Sequence, residues 1–117
     1  MAKLHRIKVT EANLGYVGSI TLDKAFLEKS GIKPLQMVII NNLSNGVSWQ
    51  TYVVEAKRGT GTVCLNGPPA RHFQPGDLVI IVAEAYITPD EMKDFVQTVV
   101  FVDGKNKITK VEKHKMM

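Results

Sequence analysis

The stretch MVIINNLSNGVSWQTYVVEA, residues 37–56, decides the architecture. Two runs rich in β-branched and aromatic residues flank Asn45-Gly46, a dipeptide that tolerates positive φ and closes hairpins. The spacing predicts MVIINNL and SWQTYVVEA as antiparallel partners. Working outward, GSITLD reads as another short strand, followed by a helix over DKAFLEKSG with Asp23 as N-cap and Gly31 as its C-terminal stop. Leu22 and Phe26 are placed to pack together around the helix start.

Downstream, GTVCLNG reads as a strand leading into NGPPARHFQPGD, where adjacent prolines and two glycines argue against regular structure. LVIIVAEAYI is an almost uninterrupted apolar run, the pattern of a central strand buried on both faces. In TPDE, Thr88 and Glu91 have capping-box spacing with Pro89 at the first helical position, so a short helix is predicted there. QTVVFVDGKNKITKV closes as a hairpin around Asp103-Gly104. At the N-terminus, a period of two in KLHRIKVT puts Lys3 and His5 on the apolar face with Ile7 and Val9, which suggests a polar pocket at one end of the core. The simpler alternative is an amphipathic edge strand with Lys3 snorkelling to solvent.

These short β segments, with no repeat or linker between them, describe one compact, mainly β domain. At 117 residues a chain can bury about 60–70% of its unfolded surface without a metal or disulfide scaffold. The single cysteine, Cys64, has no partner for a bridge, reads as a small core residue, and suits a reducing, cytoplasmic setting. No signal-like segment or membrane-length apolar run is present. The net charge of +4 lies partly in the tail KITKVEKHKMM, a solvated end rather than a nucleic-acid footprint.

Phosphate-binding glycine loops, HExxH, Cys/His metal spacing and GxSxG are all missing, and His5, His72 and His114 are scattered. The remaining polar candidates are Lys3 and His5, Tyr16 ahead of Gly18-Ser19, Thr51-Tyr52, and Asn66-Gly67. Each has an ordinary reading: Gly-Ser and Asn-Gly are common turns, and Thr and Tyr are good strand formers. Their joint order is what carries information.

KLHRIKVTEANLGYVGS resembles the start of the pyruvoyl-dependent aspartate 1-decarboxylases, where a Lys-x-His strand leads to a Tyr-x-Gly-Ser cleavage site. SNGVSWQTYVVEAKRGTG resembles that family's Asn-Gly hairpin and Thr-Tyr segment, CLNGPPARHFQPGDLVII its substrate loop, and AYITPDE the segment that follows. The resemblance runs from about residue 3 to residue 107. It implies a double-psi β-barrel with short helices, residues 1–117 forming a single domain, assembled as a homotetramer with sites between subunits.

The resemblance also implies that Ser19 attacks the Gly18 carbonyl, so that the chain breaks into residues 1–18 and 19–117. Residue 19 then becomes a pyruvoyl group, the cofactor, with or without a maturation factor. A glycine at position 18 permits strained backbone and leaves its carbonyl open. Thr51 corresponds to the family threonine near the processing site, and Tyr52 to the proton donor in the conversion of aspartate to β-alanine for pantothenate synthesis. Lys3, His5, Thr51, Asn66, Gly67, Pro68 and Pro69 fall at substrate-binding positions.

Two features depart from the family pattern. Ser48 stands where an arginine is usual, on the face of Tyr52 by period-two geometry, and serine cannot clamp a carboxylate through paired charge-assisted bonds. Pro68-Pro69 replaces alanines and removes two backbone N–H donors. They leave open a related amino-acid substrate, or a non-enzymatic relative that binds a ligand or partner.

Overall fold

The computed structural model describes residues 1–15 and 18–115. Tyr16, noted ahead of the Gly-Ser pair, lies outside the described residues. The strands are β1 (Ala2–Lys8), β2 (Glu11–Asn13), β3 (Ser19–Asp23), β4 (Met37–Asn42), β5 (Ser48–Ala56), β6 (Val63–Asn66), β7 (Leu78–Ala83), β8 (Val96–Val102) and β9 (Ile108–Lys115). Helix α1 (Lys24–Ser30) follows β3 directly.

Among the described residues the strands form one continuous sheet in the order β2-β6-β3-β5-β4-β7-β1-β8-β9. Pairing is mixed: β1/β8, β2/β6 and β3/β5 run parallel and the other neighbours antiparallel. The result is a mainly β, barrel-like fold. Its core face carries Leu4, Ile7, Ile20, Leu22, Val38, Ile40, Val53, Leu65, Val79 and Ile81, closed by Phe26 of α1 and by Phe73.

The predicted hairpin is present, with β4 and β5 antiparallel from Met37↔Tyr52 to Asn41↔Ser48. Its connection is wider than a two-residue turn. Asn42 accepts from Gly46 N and donates to Val47 O, and Gly46 alone of the Asn-Gly pair has positive φ (75°). Asn42 is buried and reaches across to the loop after β6, donating to His72 O at 3.0 Å and Asp77 Oδ2 at 2.8 Å. That contact fixes the loop against the hairpin.

Helix α1 has the expected caps: Asp23 accepts from Ala25 N, and Gly31 sits at φ 83° with its N–H on Leu27 O. The Asp23 carboxylate also accepts from Gly59 N and Gly61 N, so one buried side chain starts the helix and ties down the loop after β5. The capping box is reciprocal, with Thr88 N donating to Glu91 Oε1 and Glu91 N to Thr88 Oγ1, and it precedes a single 3-10 turn over Glu91–Asp94. The hairpin of β8 and β9 is also present.

Four expectations need correction. Period-two alternation fails in β1: Arg6 adopts φ 57° and the register with β7 shifts between Leu4 and Ile7, so both of those residues face the core. Alternation keeps Lys3 and His5 opposite Leu4, and the bulge at Arg6 puts them opposite Ile7 as well. Nor is β1 an edge strand, being flanked by β7 and β8.

Strand β7 is central but alternates, with Val79, Ile81 and Ala83 buried and Leu78, Ile80 and Val82 half-buried, rather than being covered on both faces. The loop after Gly67 is not wholly irregular, because Pro68–Arg71 forms a 3-10 turn. Proline supplies the φ of its first positions and has no N–H to leave unpaired.

Candidate active site around Ser19

Ser19 opens β3 and is 5% exposed. It is the register partner of Asn66 in the antiparallel β3/β6 pair, and Thr21 is that of Cys64. On the other side, Ile20 pairs with Val53 in the parallel β3/β5 pair, so Ser19 and Tyr52, each one residue earlier, share the opposite face. Alternation along the three strands therefore gathers Ser19, Thr21, Tyr52, Val54, Cys64 and Asn66 outside the core. These residues, with Glu11 and Thr62, line a cleft of about 500 Å³.

Within the cleft the polar atoms form a chain. Cys64 Sγ donates to Asn66 Oδ1 at 3.2 Å, and Asn66 Nδ2 donates to Ser19 Oγ at 3.0 Å and to Thr21 Oγ1 at 2.9 Å. An N–H aimed at a serine oxygen stabilises negative charge that develops there when the hydroxyl proton leaves. Burial foremost, with the nearby Glu11 charge adding to it, pushes the Cys64 thiol up, while the thiol's one hydrogen is directed to Asn66 Oδ1. Cys64 is thus buried as expected but is a wall of the cleft rather than part of the apolar core.

Of the residues singled out from sequence, the structure brings Ser19, Tyr52 and Asn66 together. Thr51 is buried on the Val53 side of β5, the face opposite Tyr52. Gly18 stands beside Pro68 and Asn66: a Cβ built on it would meet Pro68 Cδ at 3.7 Å and Asn66 O at 3.9 Å, ordinary contacts, so crowding by these atoms does not demand glycine. Gly67 has φ 77° and ψ −144°, a conformation open to glycine, and its N–H is held by Asn13 O at 2.8 Å. Pro69 is buried and Pro68 exposed.

Lys3 and His5 are not beside Ser19 in this chain, since β5, β4 and β7 separate β1 from β3. His5 lies edge-on to Phe101 with centroids 5.3 Å apart. Burial first, then the charges of Lys3 and Arg6, lower its pKa below the ordinary 6.5. Ser48 is exposed at the start of β5, on the Tyr52 face but about 13 Å along the strand from it. Thr21, Cys64, Glu11, Val54 and Thr62 were missed by sequence reasoning. For Thr21, Val54 and Cys64 the signal was present: each lies two residues from Ser19, Tyr52 or Asn66.

Among the described residues no three His, Cys, Asp or Glu side chains cluster to hold a metal, and no helix is long and apolar enough to cross a membrane. The fold and cleft define a class: a mainly β, barrel-like protein in which a buried serine hydroxyl, an amide donor and a tyrosine meet on one sheet face. The family model described as aspartate decarboxylase matches residues 1–109. The chain is 49% identical over 110 residues to an aspartate 1-decarboxylase of Caldicellulosiruptor saccharolyticus, covering 94% of this chain and 86% of that protein. It is 48% identical over 116 residues to one of Clostridium botulinum, covering 97% and 91%. With one of Pelotomaculum thermopropionicum it shares 47% identity over 110 residues, covering 94% and 83%. The chain belongs to the aspartate decarboxylase family.

Proposed function

We propose that this chain decarboxylates L-aspartate at its α-carboxylate, giving β-alanine and CO2 for pantothenate synthesis, after breaking its own backbone between Gly18 and Ser19. The observation that carries this reading is the Asn66 Nδ2 to Ser19 Oγ bond of 3.0 Å inside a cleft that Tyr52 also lines. It adds a poised hydroxyl to the family membership.

In processing, Ser19 Oγ bonds to the Gly18 carbonyl carbon, the Gly18–Ser19 C–N bond breaks, and the hydroxyl proton ends on the Ser19 nitrogen. Elimination across the Ser19 Cα–Cβ bond frees residues 1–18 as a carboxylate, and addition of one water with loss of ammonia leaves the ketone. The residues present fit such a group: position 19 is buried at a strand start, and the Asn66 amide meets it from the adjacent strand.

The pyruvoyl group would supply an electrophilic carbonyl and an electron sink for an amine substrate. Around it, Asn66 holds the position-19 end, and the Tyr52 hydroxyl is the proton donor to the former α-carbon. Thr51, Gly67, Pro68 and Pro69 shape the surroundings of the break, with the Gly67 amide committed to Asn13. Residues 1–117 act as one domain in the cytoplasm, with no nucleic-acid or membrane partner.

The cleft's one charged lining residue among those described is Glu11, an acid, which is unsuited to hold a substrate with two carboxylates. A homotetramer resolves this, a neighbouring copy bringing Lys3 and His5 to the cleft. The half-exposed Ile39, Ile80 and Val82 on the same sheet face as Lys3 support such an assembly. The Glu11 carboxylate, together with Ser48 and Pro68-Pro69, favours as second reading a related amino acid as substrate. Incubating processed protein with aspartate, glutamate and other amino acids and measuring amine product decides between them. Supplying or omitting a maturation factor during ageing tests whether the break needs help.

A further inference from the structure

We infer that Cys64 is a positioning residue for self-processing: its thiol holds the Asn66 amide with the NH2 edge, rather than the carbonyl, toward Ser19 and Thr21. The inference rests on the proposed break at Gly18-Ser19 and goes beyond it in naming what keeps the hydroxyl poised.

Cys64, Asn66 and Ser19 are all at least nine-tenths buried, and their polar atoms are linked in series at 3.2 Å and 3.0 Å, with a branch to Thr21 Oγ1 at 2.9 Å. A hydroxyl both donates and accepts, so Ser19 and Thr21 would tolerate either orientation of the amide. The thiol does not tolerate both equally. Its S–H donates to a carbonyl better than its sulfur accepts from an N–H, so Cys64 favours Oδ1 on its own side. Burial and the adjacent Glu11 keep the thiol protonated, so the donor persists at neutral pH.

The orientation matters to the chemistry. With Nδ2 toward Ser19, the amide stabilises charge on Oγ as its proton leaves, and the hydroxyl hydrogen stays free to be taken. With Oδ1 toward Ser19, the hydroxyl would donate to the carbonyl, tying up that hydrogen and placing a partial negative charge against the oxygen that must attack. Thr21 accepts the second amide hydrogen in that orientation without selecting it.

The test is the rate of chain break in freshly made precursor, followed by intact mass under one set of maturing conditions. Cys64→Ser keeps an O–H donor but accepts as readily as it donates, so it selects the amide orientation less firmly and is expected between wild type and C64V. Cys64→Val fills the space without a donor and is expected about three- to tenfold slower at an unchanged melting temperature. Equal rates for C64V and wild type would overturn the inference. Should C64V fold poorly, Cys64→Ala, which removes the donor without a branched side chain, is expected slowed likewise, and a C64A rate equal to wild type overturns it as well. Wild type that breaks while C64V keeps pace removes only this inference. Wild type that never breaks removes the proposed function and this inference together.

Discussion

Asn66 and Ser19 are register partners across β3 and β6, and the Asn66 amide donates to the Ser19 hydroxyl at 3.0 Å. This bond joins the site to the sheet, because its length is set by the pairing of two short strands rather than by a loop.

Replacing Asn66 by Asp exchanges the donor edge for a second acceptor and puts negative charge beside Oγ. The chain break is expected to slow about ten- to a hundredfold, the range for a hydrogen bond to a charged group. Time-resolved intact mass of N66D against wild type checks this.

Tyr52→Phe is expected to separate the two stages. Tyr52 touches the cleft but not the Ser19 hydroxyl chain, so Y52F forms both fragments at close to the normal rate. Its product formation falls by about a hundredfold or more, the scale of a lost general acid. Fragment yield and β-alanine formation, measured on one sample, show the split.

The Asp23 carboxylate is 3% exposed and accepts from Ala25 N, Gly59 N and Gly61 N. Asp23→Ala leaves these donors without their acceptor, and a loss of about 2–4 kcal/mol is expected in urea unfolding. Asp23→Asn retains an acceptor and costs less.

His5 links the fold to pH. Burial, then Lys3 and Arg6, lower its folded pKa from 6.5, so the unfolded chain takes up the proton more readily. The contribution of His5 to stability is therefore present above pH 6.5 and lost as pH falls through the lower folded value. NMR titration should place the His5 midpoint below 6.5, and Lys3→Met should raise it only partway because burial remains.

The hairpin, the helix and the capping box were legible because each is decided by neighbouring residues: Gly46 at its positive φ, Asp23 and Gly31 at the ends of α1, Thr88 with Glu91. The bulge in β1 was not, since an arginine at φ 57° carries none of the signal that a glycine would. Asn106 explains why the chain accepts irregularity nearby. At φ 59° its side chain accepts from Lys8 N and donates to Lys8 O and Gly61 O, taking the place of a strand partner from nearly the other end of the chain. The family came from the order of motifs. The partners of Ser19 needed the register of β3 with β5 and β6, which no local pattern gives, although alternation pointed to Thr21 and Cys64 once a strand was granted.

The central claim is that the backbone breaks ahead of residue 19, and intact mass with N-terminal sequencing of protein aged under maturing conditions tests it most directly. The account predicts a fragment ending at Gly18 and a larger one whose first residue is a ketone that resists sequencing, with Ser19→Ala remaining whole. A wild-type chain that stays full-length through the same treatment would contradict it.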